Sequence, residues 1–222
     1  IHIMRAEAMI ELGQYAKAVA EAEKAYRWLI EDDSDDLDMV FDSLAAISIA
    51  ESLGGNEDAA WKAEKEISKK SSASYENAKV IALARARMAL KYYPGVVSAI
   101  EGNTTFGINV FLDRLVSGSF LTGVNNWVWA ELPRAFMLNK ALLETGQIDK
   151  ARAGFDQLLA IKQVKENGEI YWLLLSDRGR IAEQDQQSEI ALALYRQAID
   201  VIENQRASIN TEASKIGFVG DK

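Results

Sequence analysis

Apolar residues recur at steps of three and four along most of the chain, the spacing that places them on one face of an α-helix. Two clear examples lie between residues 149 and 161 and between residues 187 and 202. The first comprises Ala151, Phe155, Leu158 and Leu159, and the second Ala191, Leu194, Tyr195, Ala198 and Ile202. Alanine at such positions lets two helix axes approach closely. The pattern therefore predicts a nearly all-helical chain whose helices pack in pairs.

Three segments place a glycine-containing turn directly before alanines at helical spacing. They are residues 13–18, 54–59 and 146–151, and Gln186 occupies the equivalent place before a last copy. A turn followed by a new helix, repeated along one chain, is typical of stacked helical hairpins. We therefore expect a binding scaffold built from such hairpins.

The intervals between the turns indicate how many hairpins there are. Gly13, Gly55, Gly146 and Gln186 are separated by 42, 91 and 40 residues. The interval of 91 residues has room for one extra hairpin, and a turn at Gly102 would divide it into 47 and 44 residues. The sequence thus predicts four hairpins and leaves room for a fifth. Between residues 94 and 126, which hold five of the 14 glycines, we expect an irregular insert.

Composition limits the classes of partner. The chain has 222 residues, of which 33 are acidic and 25 basic, so its formal net charge is −8. This balance argues against nucleic acid as a partner, because phosphate binding needs a local positive stripe. With no cysteine and no apolar run of about 20 residues, we expect a segment that lies in the cytoplasm without disulfides and does not bind membranes.

Candidate catalytic and metal-binding groups are few. His2 is the only histidine, so a histidine triad or a site with several histidine ligands cannot form. The acidic run 31–38 lacks the glycine and bidentate glutamate of a calcium loop, since Leu37 and Ser43 stand at those places. We expect its carboxylates to cap a helix that begins near Leu37. The sequence predicts no catalytic residue, metal or cofactor.

The hairpin pattern resembles the tetratricopeptide repeat (TPR), a pair of antiparallel helices of about 34 residues. The resemblance covers about two-thirds of the chain. It rests on Gly13, Tyr15, Ala18, Ala22 and Ala25, on Leu138, Leu142, Gly146, Ile148, Ala151 and Phe155, and on Leu175, Gly179, Ala191, Tyr195 and Ala198. It implies an all-α fold in which residues 1–222 form one right-handed α-solenoid domain.

A second resemblance begins at Tyr171. The runs at residues 171–182, 193–199, 206–212 and 217–222 are similar to the last repeat and junction that precede the CHAT domain, a caspase-like peptidase module, in bacterial proteins. The resemblance implies that a C-terminal helix at 187–216 leads to a domain beyond Lys222 that would carry the peptidase residues. This chain would then be a sensor or docking region, and that downstream domain one of its partners.

In TPR arrays the first helices of successive hairpins line a groove that receives a peptide or a neighbouring domain. The resemblance implies that the groove is lined here by Phe136, Lys140, Leu143, Leu173, Ser176 and Arg180. Lys140 and Arg180 would stack on one wall and favour an acidic segment or a terminal carboxylate. The alternative is that both are ordinary solvated charges.

Trp127 and Trp129 lie two residues apart, so one of them is a candidate aromatic anchor for a partner, while burial of both is the alternative. The preferred interpretation is a non-enzymatic scaffold that binds proteins or peptides. The competing interpretation is a small-molecule-sensing helical module with a pocket at residues 94–131.

Overall fold

The structure is a computed structural model that describes the backbone of residues 1–31, 36–71, 75–102 and 127–219, and the side chains within these ranges except 127–131 and 208–219. These residues form ten α-helices and one short 3-10 helix, Lys162–Glu166. The α-helices are α1 His2–Glu11, α2 Tyr15–Glu31, α3 Leu37–Leu53, α4 Glu57–Lys69, α5 Glu76–Ala89, α6 Tyr93–Glu101, α7 Trp127–Glu144, α8 Ile148–Leu159, α9 Gly168–Gln184 and α10 Ser188–Val219.

The helices form five hairpins within the described ranges, and each hairpin turns through one residue with positive φ. These residues are Gly13, Gly55, Lys91, Gly146 and Gln186, with φ of 69°, 84°, 55°, 77° and 61°. At the first turn the amide of Gly13 donates to the carbonyl of Ile10 at 3.0 Å, and that of Gln14 to Met9 at 2.8 Å. The same bonds, from i to i−3 and from i+1 to i−4, recur at all five turns and satisfy the last carbonyls of each first helix.

The extra hairpin predicted within the long interval is present, but its turn is not at Gly102. The chain turns at Lys91, between α5 and α6, and Gly102 follows the end of α6 with ordinary right-handed dihedral angles. The glycine pattern does not mark this turn, because a lysine occupies the left-handed position. Two backbone bonds, Lys91 to Met88 at 3.1 Å and Tyr92 to Arg87 at 2.8 Å, stabilise it without glycine.

The helices group into two compact units, Ile1–Thr122 and Gly123–Lys222. We call the first helix of each hairpin the A helix and the second the B helix. In the first unit, α3 packs against its own partner α4, against α2, and against the neighbouring A helices α1 and α5. Its core contains Leu29, Val40, Phe41, Leu44, Ala45, Ile67, Ala82, Leu83 and Ala86. Fully buried alanines such as Ala22 and Ala46 let the helices approach closely, as the sequence predicted.

In the second unit, α7 packs against α8 and α9, and α9 packs against α10. Phe155 of α8 and the adjacent pair Leu174 and Leu175 of α9 are almost fully buried. Gly179 lies so close to the Tyr195 ring that a Cβ atom there would be 2.6 Å from the nearest ring carbon. The aromatic ring of α10 therefore packs directly on the backbone of α9, which holds this hairpin together.

The predicted irregular insert is partly wrong. Residues 94–101 belong to helix α6, and Pro94 lies in its first turn, where proline is tolerated. Residues 103–126 of the insert lie outside the described residues. The pocket expected at residues 94–131 therefore stays a prediction, and residues 127–131 at its end begin helix α7. The last helix, expected at 187–216, runs from Ser188 to Val219. No helix in the described ranges is long and apolar enough to cross a bilayer.

Candidate docking surfaces

Four charged side chains connect the two A helices of the second unit. Lys140 and Glu144 lie one turn apart on α7, and Asp177 and Arg180 lie on α9. The Lys140 Nζ atom is 2.7 Å from Asp177 Oδ1 and 3.1 Å from Glu144 Oε1. The Arg180 guanidinium is 2.7 Å from Glu144 Oε1 and 3.0 Å from Asp177 Oδ1. Each cation therefore contacts both carboxylates, and we call this group the charge ring.

The charge ring also fixes the register of α7 and α9. Lys140 pairs with Asp177 and Glu144 with Arg180, so residue numbers rise in the same direction along the two helices. About one turn earlier on each helix lie Phe136 and Leu173, and both side chains are half-buried. The A helices of this unit thus present two apolar side chains next to four paired charges.

The hydrogen bonds of the charge ring change the acidity of its members. The hydrogen bond from Arg180 holds the pKa of Glu144 below its usual range, against the opposing effect of burial, and Lys140 adds to the lowering. The bond to Glu144, followed by that to Asp177, raises the pKa of Arg180 further. Both pKa shifts favour the charged forms of Glu144 and Arg180 at neutral pH.

The predicted groove residues are only partly available to a partner. Lys140 and Arg180 contact the same two carboxylates, and Phe136, Leu173 and Ser176 are partly exposed. Leu143 is only 4% exposed and belongs to the core, so its assignment to the groove is wrong. The tryptophans begin helix α7, and their side chains lie outside the described residues. Whether this surface binds a partner stays a prediction.

Lys140 and Arg180 do not form the unpaired basic spot that the sequence predicted. Glu144 and Asp177 neutralise Lys140 and Arg180, and Asp177 is only 4% exposed. Sequence reasoning had overlooked these carboxylates, although their spacing carried a signal. Glu144 follows Lys140 by four residues and Asp177 precedes Arg180 by three, and such pairs share a helix face.

A cation also connects the A helices of the first unit. Arg85 of α5 lies 2.7 Å from Glu7 of α1 and 3.4 Å from Asp42 of α3. Burial raises the pKa of the Asp42 carboxyl, Arg85 opposes the rise, and the Glu7 charge adds to it. In both units, therefore, charged side chains connect neighbouring A helices.

Three further expectations concern metals, His2 and the acidic run 31–38. Among the described residues, no group of three histidine or carboxylate side chains is arranged to hold a metal. His2 is exposed, with Nδ1 2.7 Å from Glu21 Oε2. Helix α3 begins at Leu37, as the acidic run predicted, with Asp38 in its first turn. Residues 32–35 of that run lie outside the described ranges.

Comparison with solved structures identifies a similar fold. The chain resembles a single-residue variant of a Podosopora anserina protein with nearly identical TPR-like repeats, described as a kinesin light chain, with a TM-score of 0.58 and 19% sequence identity. The match covers 92% of this chain and 95% of that one. No protein-family model and no curated protein matches the chain.

This likeness confirms the all-α, TPR-like hairpin fold. Such repeats commonly mediate protein interactions, and the fold is typically non-enzymatic. At 19% identity the likeness concerns the fold alone and does not extend to a partner.

Proposed function

We propose that the chain is a non-catalytic scaffold that docks another protein. The observation that carries this proposal is the run of five helical hairpins with the same turn geometry, in a fold that commonly serves protein interactions. Repeat units contact their neighbours in sequence, so a stack of them presents an extended surface without enclosing an active site.

The docking face that we propose is the A-helix face of the second unit. Phe136 and Leu173 supply apolar area, Ser176 lies one turn away, and the charge ring borders them. Because the ring is internally neutral, a partner would gain most from the apolar pair, and the charges would act as a polar rim. Aromatic side chains bordered by polar groups are frequent anchors in protein interfaces.

We further propose that this scaffold is the sensor or docking region of a larger CHAT-type protein. The support for this is the resemblance of residues 171–222 to the junction that precedes such domains. The coding sequence that follows Lys222 tests the proposal directly. A caspase-like domain with its own histidine and cysteine is the expected result, and any unrelated continuation would contradict it.

A site-specific crosslinker tests the docking face. Benzoylphenylalanine replaces Ser176 in the full chain, expressed in its native cells, and a control variant carries it at Gln157, an exposed position on α8. We expect a discrete protein adduct from position 176 that is absent from position 157. With that partner purified, Phe136→Ala/Leu173→Ala should weaken binding at least about tenfold.

The same experiment can refute the proposal. Identical adducts at both positions, or none at position 176, would contradict docking on this face. Turnover of a substrate by the purified chain, carried by residues within it, would contradict a non-catalytic role.

A further inference from the structure

Helix α4, the B helix of the second hairpin, presents a face that the proposed function does not use. Its inner side is buried through Ala60, Ala63, Glu64 and Ile67. Its outer side carries three exposed lysines, Lys62, Lys65 and Lys69, at steps of three and four residues. At 100° per residue they share one face, and at 1.5 Å per residue they span about 10 Å along the helix. We call them the α4 lysine face.

Within the described ranges, these lysines have no carboxylate partner. None of the three forms an ion pair or a side-chain hydrogen bond with another residue in the described part of the chain, whereas Lys140, Arg85, Arg87 and Arg180 all do. Two carboxylates on the same helix could have neutralised them. Glu66 instead accepts a hydrogen bond from the Tyr26 hydroxyl of α2, and Asp58 pairs with none of the three.

An aromatic ring lies beside the α4 lysine face. Trp61 is half-buried, and its ring meets the Tyr92 ring edge to face at a centroid distance of 5.5 Å. Trp61 and the three lysines line a shallow surface depression of about 500 Å³, together with Asp58 and Glu66. Tryptophan in a partly enclosed position is among the side chains that contribute most to protein interfaces.

Contacts with neighbouring helices hold α4 on its buried side, through Glu64. Arg87 of α5 lies 2.6 Å from the Glu64 carboxylate of α4 and donates to the Gly95 carbonyl of α6 at 2.8 Å. The Glu64 side chain is only 5% exposed. Arg87 also lies over the Tyr92 ring, 5.9 Å from its centroid. The same side chain therefore contacts α4, α6 and the ring that Trp61 meets. A preorganised surface loses less entropy when it binds a partner.

From this arrangement we infer that the α4 lysine face docks an acidic protein segment that also places an apolar side chain on Trp61. Three cations that no carboxylate of the described residues neutralises attract acidic groups at close range, even on a chain with a net charge of −8. A nucleic acid or an anionic membrane fits less well, because the face spans about 10 Å and Asp58 and Glu66 interrupt it. The inference rests on the proposed scaffold function and adds to it a second surface, outside the A-helix groove, with a partner of defined chemistry.

The test titrates the full chain into a fluorescein-labelled dodecapeptide that contains five glutamates and one leucine, and follows fluorescence anisotropy at about 50 mM salt. A matched peptide carries glutamine in place of each glutamate. We expect saturable binding of the acidic peptide, loss of at least about tenfold in affinity at 300 mM salt, and no binding of the glutamine peptide.

Matched variants separate the α4 lysine face from general charge effects. Lys62→Glu/Lys65→Glu/Lys69→Glu should lose at least about tenfold in affinity. The control Lys150→Glu/Lys162→Glu/Arg196→Glu makes the same charge change at exposed positions of the second unit, and should lose less than about twofold. Lys62→Arg/Lys65→Arg/Lys69→Arg should retain binding, and Trp61→Ala should weaken it without changing its salt dependence.

Several outcomes would overturn the inference: no binding of the acidic peptide, equal losses in both charge-reversal variants, or tighter binding to phosphatidylserine vesicles or duplex DNA than to the peptide. Circular dichroism of each variant guards against unfolding, which is not expected because the substituted lysines are exposed. Failure here would leave the docking face at Ser176 untouched, and failure of the crosslinking experiment would not alter this titration.

Discussion

The charge ring of the second unit and the α4 lysine face of the first unit both contain basic side chains at helical spacing, yet their surroundings differ. In the charge ring each cation lies within 3.1 Å of two carboxylates, and one of these, Asp177, is buried. On α4 the three lysines are exposed and have no carboxylate partner among the described residues. The first arrangement joins two helices, while the second leaves its charge available to another molecule.

The comparison shows that basic residues at helical spacing do not by themselves identify a binding site. A cation facing a neighbouring helix can meet a carboxylate there, and the pair then contributes to stability. A cation on the outward side of a helix stays hydrated and interacts with whatever approaches. Three predictions follow this distinction, from the largest expected effect to the smallest.

Removal of the buried carboxylate should have the largest effect. Asp177→Ala leaves Lys140 and Arg180, whose side chains are 22% and 39% exposed, with Glu144 as their remaining partner. We expect a loss of about 2 kcal/mol in the free energy of unfolding, since a partly buried charge then lacks its counter-ion. Urea denaturation of the variant and the parent chain measures this difference in the free energy of unfolding.

Asp149→Ala provides the control for that loss. Asp149 pairs with Arg152 at 2.8 Å, but its side chain is 96% exposed. Its removal should cost less than about 0.5 kcal/mol. Similar losses in the two variants would mean that the charge ring is no more than a set of surface ion pairs.

The contributions of Glu144 and Asp42 to the pH dependence of stability should have opposite signs. Because the pKa of Glu144 is lowered in the folded state, its contribution is complete above its ordinary value of 4.5 and is lost as the pH falls through the folded pKa. The pKa of Asp42 is raised above 3.8, so its ionisation opposes folding, and stability falls as the pH rises through that range.

Variants that cannot ionise at these positions test both signs. Urea titrations between pH 3 and pH 7 should show a smaller loss of stability on acidification for Glu144→Gln than for the parent chain, and a larger one for Asp42→Asn. The effects should be smaller than that of Asp177→Ala, because every other charged partner remains in place. A change of the same sign in both variants would contradict the assignment.

Truncation of the α4 lysine face should have the smallest effect on stability. Lys62→Ala/Lys65→Ala/Lys69→Ala removes three exposed and unpaired charges and introduces the residue with the highest helix propensity. We expect the free energy of unfolding to stay within about 1 kcal/mol of the parent or to rise. The single variant Lys140→Ala, which opens the charge ring, should lose about 1 kcal/mol. A greater loss in the triple variant would show that these lysines have structural partners.

The turns show how far sequence reasoning extends. Gly13, Gly55, Gly146 and Gln186 were predicted as turn positions, and all four have positive φ. Lys91 was missed because nothing in its side chain marks a left-handed conformation. At Lys91 the turn is stabilised by backbone hydrogen bonds to the last carbonyls of helix α5, and not by the conformational preference of the residue. Local periodicity therefore located the turns of four hairpins. It did not locate the turn of the fifth, which has no glycine and does not lie where the spacing of the other turns predicted it.

The candidate surfaces were less accessible to prediction. The family resemblance placed Lys140 and Arg180 on one wall of a groove, and in the structure both contact Glu144 and Asp177. It assigned Leu143 to the same face, whereas the structure buries that side chain in the core. The bond between Arg87 and Glu64, on the buried side of α4, joins residues 23 positions apart, so no local sequence pattern indicates it.

The amino-acid sequence by itself determined the helices, their pairing into hairpins and the alanine contacts that hold each pair, because these depend on spacing within about 40 residues. Only the tertiary structure decided which charges are neutralised and which stay free. That outcome depends on whether a carboxylate on another helix comes within hydrogen-bond distance of a cation, and helix packing sets this distance.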